Sequence, residues 1–187
     1  EGAKYTIADI EEKQTKRNPP PPFRTSTLQQ QANQKFGYSS RQTMRLAQQL
    51  YEGIDVGETY GTVGLITYMR TDSTNLSTKF TNETKSFVNT EFGDKYDIAE
   101  PRVYAKKAKG AQEAHEAIRP THVELTPEKI ERALDPQQFK VYSLIWKRSV
   151  ATQMATAVLN KIRVDVSATG KDKKEYTFRT TGQSVHF

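Results

Sequence analysis

A chain of 187 residues is long enough for one medium domain or two small ones, and an aromatic share of 10% can supply a core. Its 28 lysines and arginines against 22 aspartates and glutamates leave a net charge of +6, which leans towards a polyanionic partner without requiring one. The absence of cysteine excludes disulfides, thiol nucleophiles and cysteine-ligated zinc, and no apolar run reaches the ~18 residues of a membrane span.

Lys4-Tyr5-Thr6-Ile7-Ala8-Asp9-Ile10 alternates like a half-buried strand. The charged run Glu11 to Arg17 and the prolines Pro19–Pro22 follow and read as a boundary, because the prolines remove four amide donors and favour an extended spacer. Ser26 with Gln29 predicts a capping box and Gly37 a helix stop. Ser39 with Gln42 repeats the box, ahead of an apolar stripe of Met44, Ala47, Leu50 and Tyr51 that ends at Gly53. Two helices joined at Gly37–Ser40 resemble a helix-turn-helix, a spacing that any helical hairpin also gives.

Gly53 to Gly64 reads as a loop, and Val63–Tyr68 as a short strand. Ser77 can cap a helix carrying Phe80, Thr84, Phe87, Val88 and Phe92, with Gly93 after it. Lys106, Lys107 and Lys109 form a basic loop that is either a DNA-tracking patch or a solvated surface. A short helix is expected around Ala111–Ile118, a second from Thr126-Pro127, and the longest from Asp135-Pro136. The last carries Phe139, Tyr142, Trp146, Val150 and Met154, with Tyr142 and Trp146 read as core. From Val158 the period changes to 2, and a turn at Gly170–Lys173 predicts a β-hairpin. The expected fold is mainly α with a small antiparallel β element: a helical domain over 23–157, between an N-terminal strand and linker over 1–22 and a returning hairpin over 158–187. The chain opens at Glu1 rather than Met, and is expected to be a piece of a longer polypeptide.

The chemistry concentrates in Thr67-Tyr68-Met69-Arg70-Thr71-Asp72-Ser73-Thr74. A phenol titrates near 10 and is a poor nucleophile at neutral pH. It becomes useful against a phosphodiester when a cation beside it neutralises charge in the transition state. Arg70 is two residues from Tyr68, so in extended backbone both side chains leave on one face, and its fork could grip the phosphate that the hydroxyl attacks. Asp72 could orient that arginine or a histidine. The blander reading is a strand-end tyrosine followed by an Arg70–Asp72 surface salt bridge.

TYMRTDST at Thr67–Thr74 resembles the active-site motif of type IA DNA topoisomerases. PPPPFRTSTLQQ (Pro19–Gln30), LAQQLYEG (Leu46–Gly53) and EAHEAIRPT (Glu113–Thr121) are similar to further blocks of the family, in the right order. The resemblance implies a winged-helix-like active-site domain inserted into stubs of a β hinge domain. It implies that Tyr68 attacks single-stranded DNA, forms a 5′-phosphotyrosyl link, releases a 3′-hydroxyl and later reseals the break, relaxing negative supercoils. No ATP is needed, since the phosphotyrosine stores the bond energy. Arg70 would hold the scissile phosphate, and His115 would sit near Asp72 and the DNA backbone. Ser73 and Arg119 would support the DNA contact. Glu113 and Glu116 read as solvated, or as partners of Arg119 on one helix.

The family's acidic, magnesium-binding Toprim domain carries an Asp-x-Asp-x-Glu block that does not occur in this sequence. Magnesium is therefore expected on domains outside this chain, with no metal bound here, and the isolated piece is expected to be inactive. The implied partners are single-stranded or underwound DNA and the remaining domains of the same polypeptide, with no membrane, in the bacterial cytoplasm at the nucleoid. The competing reading is a non-catalytic winged-helix-like DNA-binding module in which Tyr68 is structural. A tyrosine recombinase or type IB enzyme fits less well, because there the tyrosine follows its arginines and histidine.

Overall fold

The computed structural model describes residues 4–104 and 115–186. Along them run β1 (Tyr5–Arg17), α1 (Thr25–Phe36), α2 (Ser40–Glu52), β2 (Ile54–Asp55), β3 (Thr62–Val63), α3 (Thr78–Phe92), α4 (Pro127–Ile130), α5 (Pro136–Thr152), β4 (Ala157–Thr169) and β5 (Glu175–Val185). The architecture is mixed, with helices in the middle of the chain and small antiparallel sheets. It divides into two compact units, one of Glu1–Asn18 with Thr156–Phe187 and one of Pro19–Ala155.

The first unit is a three-stranded sheet in the order β1-β4-β5. Ile7, Val166 and Phe178 stand opposite one another across it, as do Tyr5, Ala168 and Tyr176. Directly opposed residues share a face, so one side is an apolar band, with the Tyr5 and Phe178 rings 6.3 Å apart. The other side is charged. Asp165, only 8% exposed, accepts from Arg179 Nε at 2.7 Å and Nη2 at 2.9 Å. That bidentate grip holds the Asp165 carboxyl below the usual carboxylate range. Arg163 reaches Asp9 at 2.8 Å and Glu11 at 2.6 Å.

These cross-strand pairs account for one departure from expectation. The charged run Glu11–Arg17 continues β1 to Arg17, and the two units divide just after it, between Asn18 and Pro19. A polar stretch joins a sheet when the neighbouring strand supplies both ladder bonds and opposite charges, which local sequence does not reveal.

In the helical unit most caps stand where the spacing puts them. The Ser39 hydroxyl accepts from Gln42 N at 3.1 Å and the Ser77 hydroxyl from Phe80 N at 3.3 Å. Asp135 accepts from Gln137 N at 2.7 Å and Gln138 N at 2.9 Å. Gly37 closes α1 with φ 70°, in the left-handed region that glycine adopts freely. The start of α1 differs: the helix begins at Thr25, and Thr27, not Ser26, takes the flanking amide, from Arg24 N at 3.1 Å.

Leu28 and Ala32 of α1, Leu46, Ala47 and Leu50 of α2, Phe80 and Val88 of α3, and Val141, Ile145 and Val150 of α5 build the core. Tyr142 and Trp146 join it, with their polar tips satisfied. The Tyr142 hydroxyl donates to Leu125 O at 2.6 Å, and Trp146 Nε1 donates to Val123 O at 2.9 Å. Burial pushes the Tyr142 phenol well up.

Three further expectations change. The Gly53–Gly64 loop holds a short ladder, Ile54 opposite Val63. The strand expected over Val63–Tyr68 is only β3 and one isolated bridge, Ile66 to Pro120. Of the helix expected around Ala111–Ile118, residues 111–114 lie outside the described residues and residues 115–118 are not helical. They pair instead with other extended segments, and those long-range bonds override the local helical spacing.

Candidate active site

Residues 65–73 follow neither helix nor ladder, yet they alternate. Leu65, Ile66 and Met69 are fully buried, and Thr71 and Ser73 nearly so. Tyr68 is 40% exposed, and Arg70 and Asp72 are exposed. The buried set anchors the exposed set. Burying one side chain of the size of Met69 is worth about 2 kcal/mol, and it holds the backbone between Tyr68 and Arg70.

Hydrogen bonds from three sequence-distant pieces hold this segment. Leu65 N donates to Leu50 O at the end of α2 (2.7 Å), and Thr67 N to Arg119 O (2.9 Å). The Thr67 hydroxyl donates to Ala117 O at 2.7 Å and accepts from Arg119 N at 3.0 Å. Thr25 clamps the other side: its hydroxyl donates to Met69 O at 2.7 Å and accepts from Thr71 N at 2.9 Å, and its N–H donates to Thr71 O at 2.9 Å. Ile118 N donates to Phe23 O at 2.7 Å, and Ala117 N to Asn75 O at 2.8 Å. The four blocks singled out in the sequence therefore meet around one tyrosine.

The Tyr68 ring stands edge-on to Tyr51 at 5.5 Å and tilted to His115 at 6.2 Å. His115 is exposed. Neither Arg70 nor Asp72 forms an ion pair or hydrogen bond among the described residues, so the surface salt bridge of the blander reading is not formed, and neither Arg70 nor His115 bonds Asp72. The guanidinium of Arg70 is open to a ligand.

Ser73 and Arg119 sit differently. Ser73 is turned inward, and its hydroxyl accepts from Asn75 N at 3.0 Å. Arg119, 14% exposed at its side chain, pairs with Glu116, donates from Nη1 to Pro120 O at 3.0 Å and lies 4.7 Å from the Phe80 ring centre. The Glu116–Arg119 pair forms, but across extended backbone rather than along a helix. Glu113 and Lys106, Lys107 and Lys109 lie outside the described residues. Tyr51, Thr67 and Thr25 carry roles that the sequence reading did not assign. Their signal was present only at the level of the blocks LAQQLYEG, TYMRTDST and PPPPFRTSTLQQ. No group of three His, Asp or Glu able to hold a metal ion occurs among the described residues.

Gly64 is required by a close approach. A Cβ there would stand 2.6 Å from Tyr51 O. Gly64→Ala is expected to push the chain away from Tyr51 and cost roughly 1–3 kcal/mol. At about 2–4 °C per kcal/mol the thermal midpoint should fall measurably by circular dichroism. An unchanged midpoint would show that the contact is slack.

The segment is anchored by buried side chains and presents an exposed tyrosine, with an arginine two residues on that forms no ion pair among the described residues; comparison with known proteins shows the family that carries it. The family described as DNA topoisomerase matches residues 1–187, and the chain belongs to it. Within that family its relatives are bacterial type I enzymes, of the type IA class. DNA topoisomerase 1 of Rickettsia bellii is 44% identical over 183 residues, covering 98% of this chain and 22% of the relative. DNA topoisomerase 1 of Xylella fastidiosa is 48% identical over 179 residues, covering 96% and 21%. The structure of full-length topoisomerase I from Thermotoga maritima superposes with a TM-score of 0.75 at 38% identity, over 98% of this chain and 28% of that one. The chain thus spans about a fifth of the length of the curated relatives it matches.

Proposed function

We propose that this chain carries the nucleophile of a type IA topoisomerase, an isomerase that cleaves and reseals single-stranded or underwound DNA and relaxes negative supercoils without ATP. The Tyr68 oxygen attacks a backbone phosphorus, the bond to the 3′-oxygen breaks, and a 5′-phosphotyrosyl link forms. The phenolic proton leaves, and the departing 3′-oxygen takes up a proton. Reversal by the 3′-hydroxyl reseals the strand. Arg70 holds the scissile phosphate and neutralises charge as it builds up. His115 and Asp72 line the DNA path, Ser73 keeps the turn after Asp72 in shape, and Arg119 braces the backbone behind Thr67. The observation that carries this reading is the exposed Tyr68 on an anchored segment, two residues before an exposed Arg70 that forms no ion pair among the described residues.

Domains of the same polypeptide beyond this chain supply the acid and the magnesium; among the described residues no cluster of His, Asp and Glu fits a magnesium site. The helical part serves as a winged-helix-like active-site domain inserted into a β hinge domain, with boundaries at 1–22, 23–157 and 158–187. The apolar band of Ile7, Val166 and Phe178 supports that view, since it is a surface for further hinge strands to cover. The setting is the bacterial cytoplasm, at the nucleoid.

The polarity of the covalent link tests the proposal. The chain is mixed with a polypeptide carrying the rest of the enzyme, magnesium and single-stranded DNA labelled at one end. A 3′-labelled strand should give labelled protein, and a 5′-labelled strand should give a shortened free oligonucleotide. No adduct would refute it and leave the non-catalytic DNA-binding module; label transferred from the 5′-end would refute it in favour of a 3′-phosphotyrosyl chemistry.

A further inference from the structure

The helical unit has a second surface built for a polyanion. A groove of ≈ 420 Å³ between the end of α1 and the outer side of α5 is lined by Lys35, Phe36, Phe139, Lys140, Lys147 and Arg148 among others, and none of its lining residues is acidic. Helical spacing places Lys140, Leu144, Lys147 and Ala151 on one side of α5, away from its buried Val141, Tyr142 and Ile145. Phe36 and Phe139 pack against the core while staying partly at the surface.

Not every cation there is free. Arg148 belongs to the wall: its guanidinium lies 4.4 Å from the Phe23 ring centre, donates to Pro21 O at 3.2 Å and pairs with Gln31. Lys140 Nζ lies 5.9 Å from the Phe36 ring centre. Lys35 and Lys147 are exposed and form no ion pair among the described residues. Four cations without a carboxylate repel one another, so the groove gains from an anionic occupant. Cations interleaved with aromatic rings suit one that alternates phosphates with flat bases. An acidic peptide would meet the lysines but leave the rings without a flat partner.

We infer that this groove holds a stretch of single-stranded DNA apart from the Tyr68 site. It shares no residue with the Tyr51, Tyr68, Arg70 and His115 group, so it goes beyond the tyrosine chemistry and stands whether or not that chemistry is correct.

The test uses the 187-residue chain and fluorescein-labelled oligothymidylate, with anisotropy titrations across a salt series. Lys35→Ala/Lys147→Ala should weaken binding severalfold with an unchanged circular dichroism spectrum. The slope of log affinity against log salt should fall by about 1.4, two contacts at about 0.7 each. The same change should appear in an Arg70→Ala background, which separates the groove from the tyrosine site. An unchanged slope would overturn the inference, as would a loss that disappears in the Arg70→Ala background. Displacement of the oligonucleotide by polyglutamate as effectively as by unlabelled oligothymidylate would also overturn it, in favour of an acidic peptide.

Discussion

Tyr68→Phe should abolish the covalent protein–DNA adduct, by on the order of 10⁴-fold or more, while the fold and DNA binding stay intact. Removing the nucleophile from a covalent catalyst leaves only positioning and electrostatics, so the loss is near total. The separation from folding follows from the geometry. The Tyr68 side chain is 40% exposed, and its hydroxyl has no hydrogen-bond partner among the described residues. Phenylalanine keeps the ring against Tyr51 and His115 and leaves Met69 and Thr25 to hold the segment. Adduct yield on a denaturing gel, beside the thermal midpoint and oligonucleotide affinity of the same variant, checks all three. A residual adduct at a sizeable fraction of the parent level would move the nucleophile to another residue, with Tyr51, its ring 5.5 Å away, as the first candidate.

The second large effect is expected from Arg70. Arg70→Ala should slow cleavage by about 10²–10³-fold, the usual cost of deleting one preorganised donor at a developing charge. That is about 3–4 kcal/mol of transition-state stabilisation. Equilibrium binding to the same oligonucleotide should weaken only a few-fold, because one surface phosphate contact is a small part of the whole. Arg70→Lys should recover part of the rate, since it restores the charge but not the bidentate fork. Single-turnover cleavage rates against anisotropy affinities decide the matter. Equal losses in rate and affinity would make Arg70 a general DNA contact.

The two variants bear on different parts of one arrangement. Tyr68 and Arg70 are exposed because Met69 and Thr71 are buried, and Met69 and Thr71 are fixed because Thr25 clamps their backbone from the α1 side. Gly64 admits the segment against Tyr51, and Thr67 ties it to the Ala117–Arg119 stretch. Substitutions in this supporting set should lower adduct yield through lost order rather than lost chemistry.

Much of this was legible in the amino-acid sequence by itself. The 2-residue period of TYMRTDST grouped Tyr68, Arg70 and Asp72, and the structure exposes all three between buried Met69, Thr71 and Ser73 although the backbone is not a strand. The helices capped by Ser39, Ser77 and Asp135 and the hairpin after Val158 came from side-chain chemistry acting within three or four residues, which sequence spacing records directly. What only the tertiary structure decided depends on partners far away along the chain. The strand character of Glu11–Arg17 needed Arg163, more than a hundred residues on. The extended form of residues 115–121 needed Phe23, Leu65, Thr67 and Asn75 to take its backbone hydrogen bonds. An unpaired backbone donor or acceptor in a core is costly, so wherever a distant segment offers a bond, that bond overrides local propensity, and no window of sequence contains it.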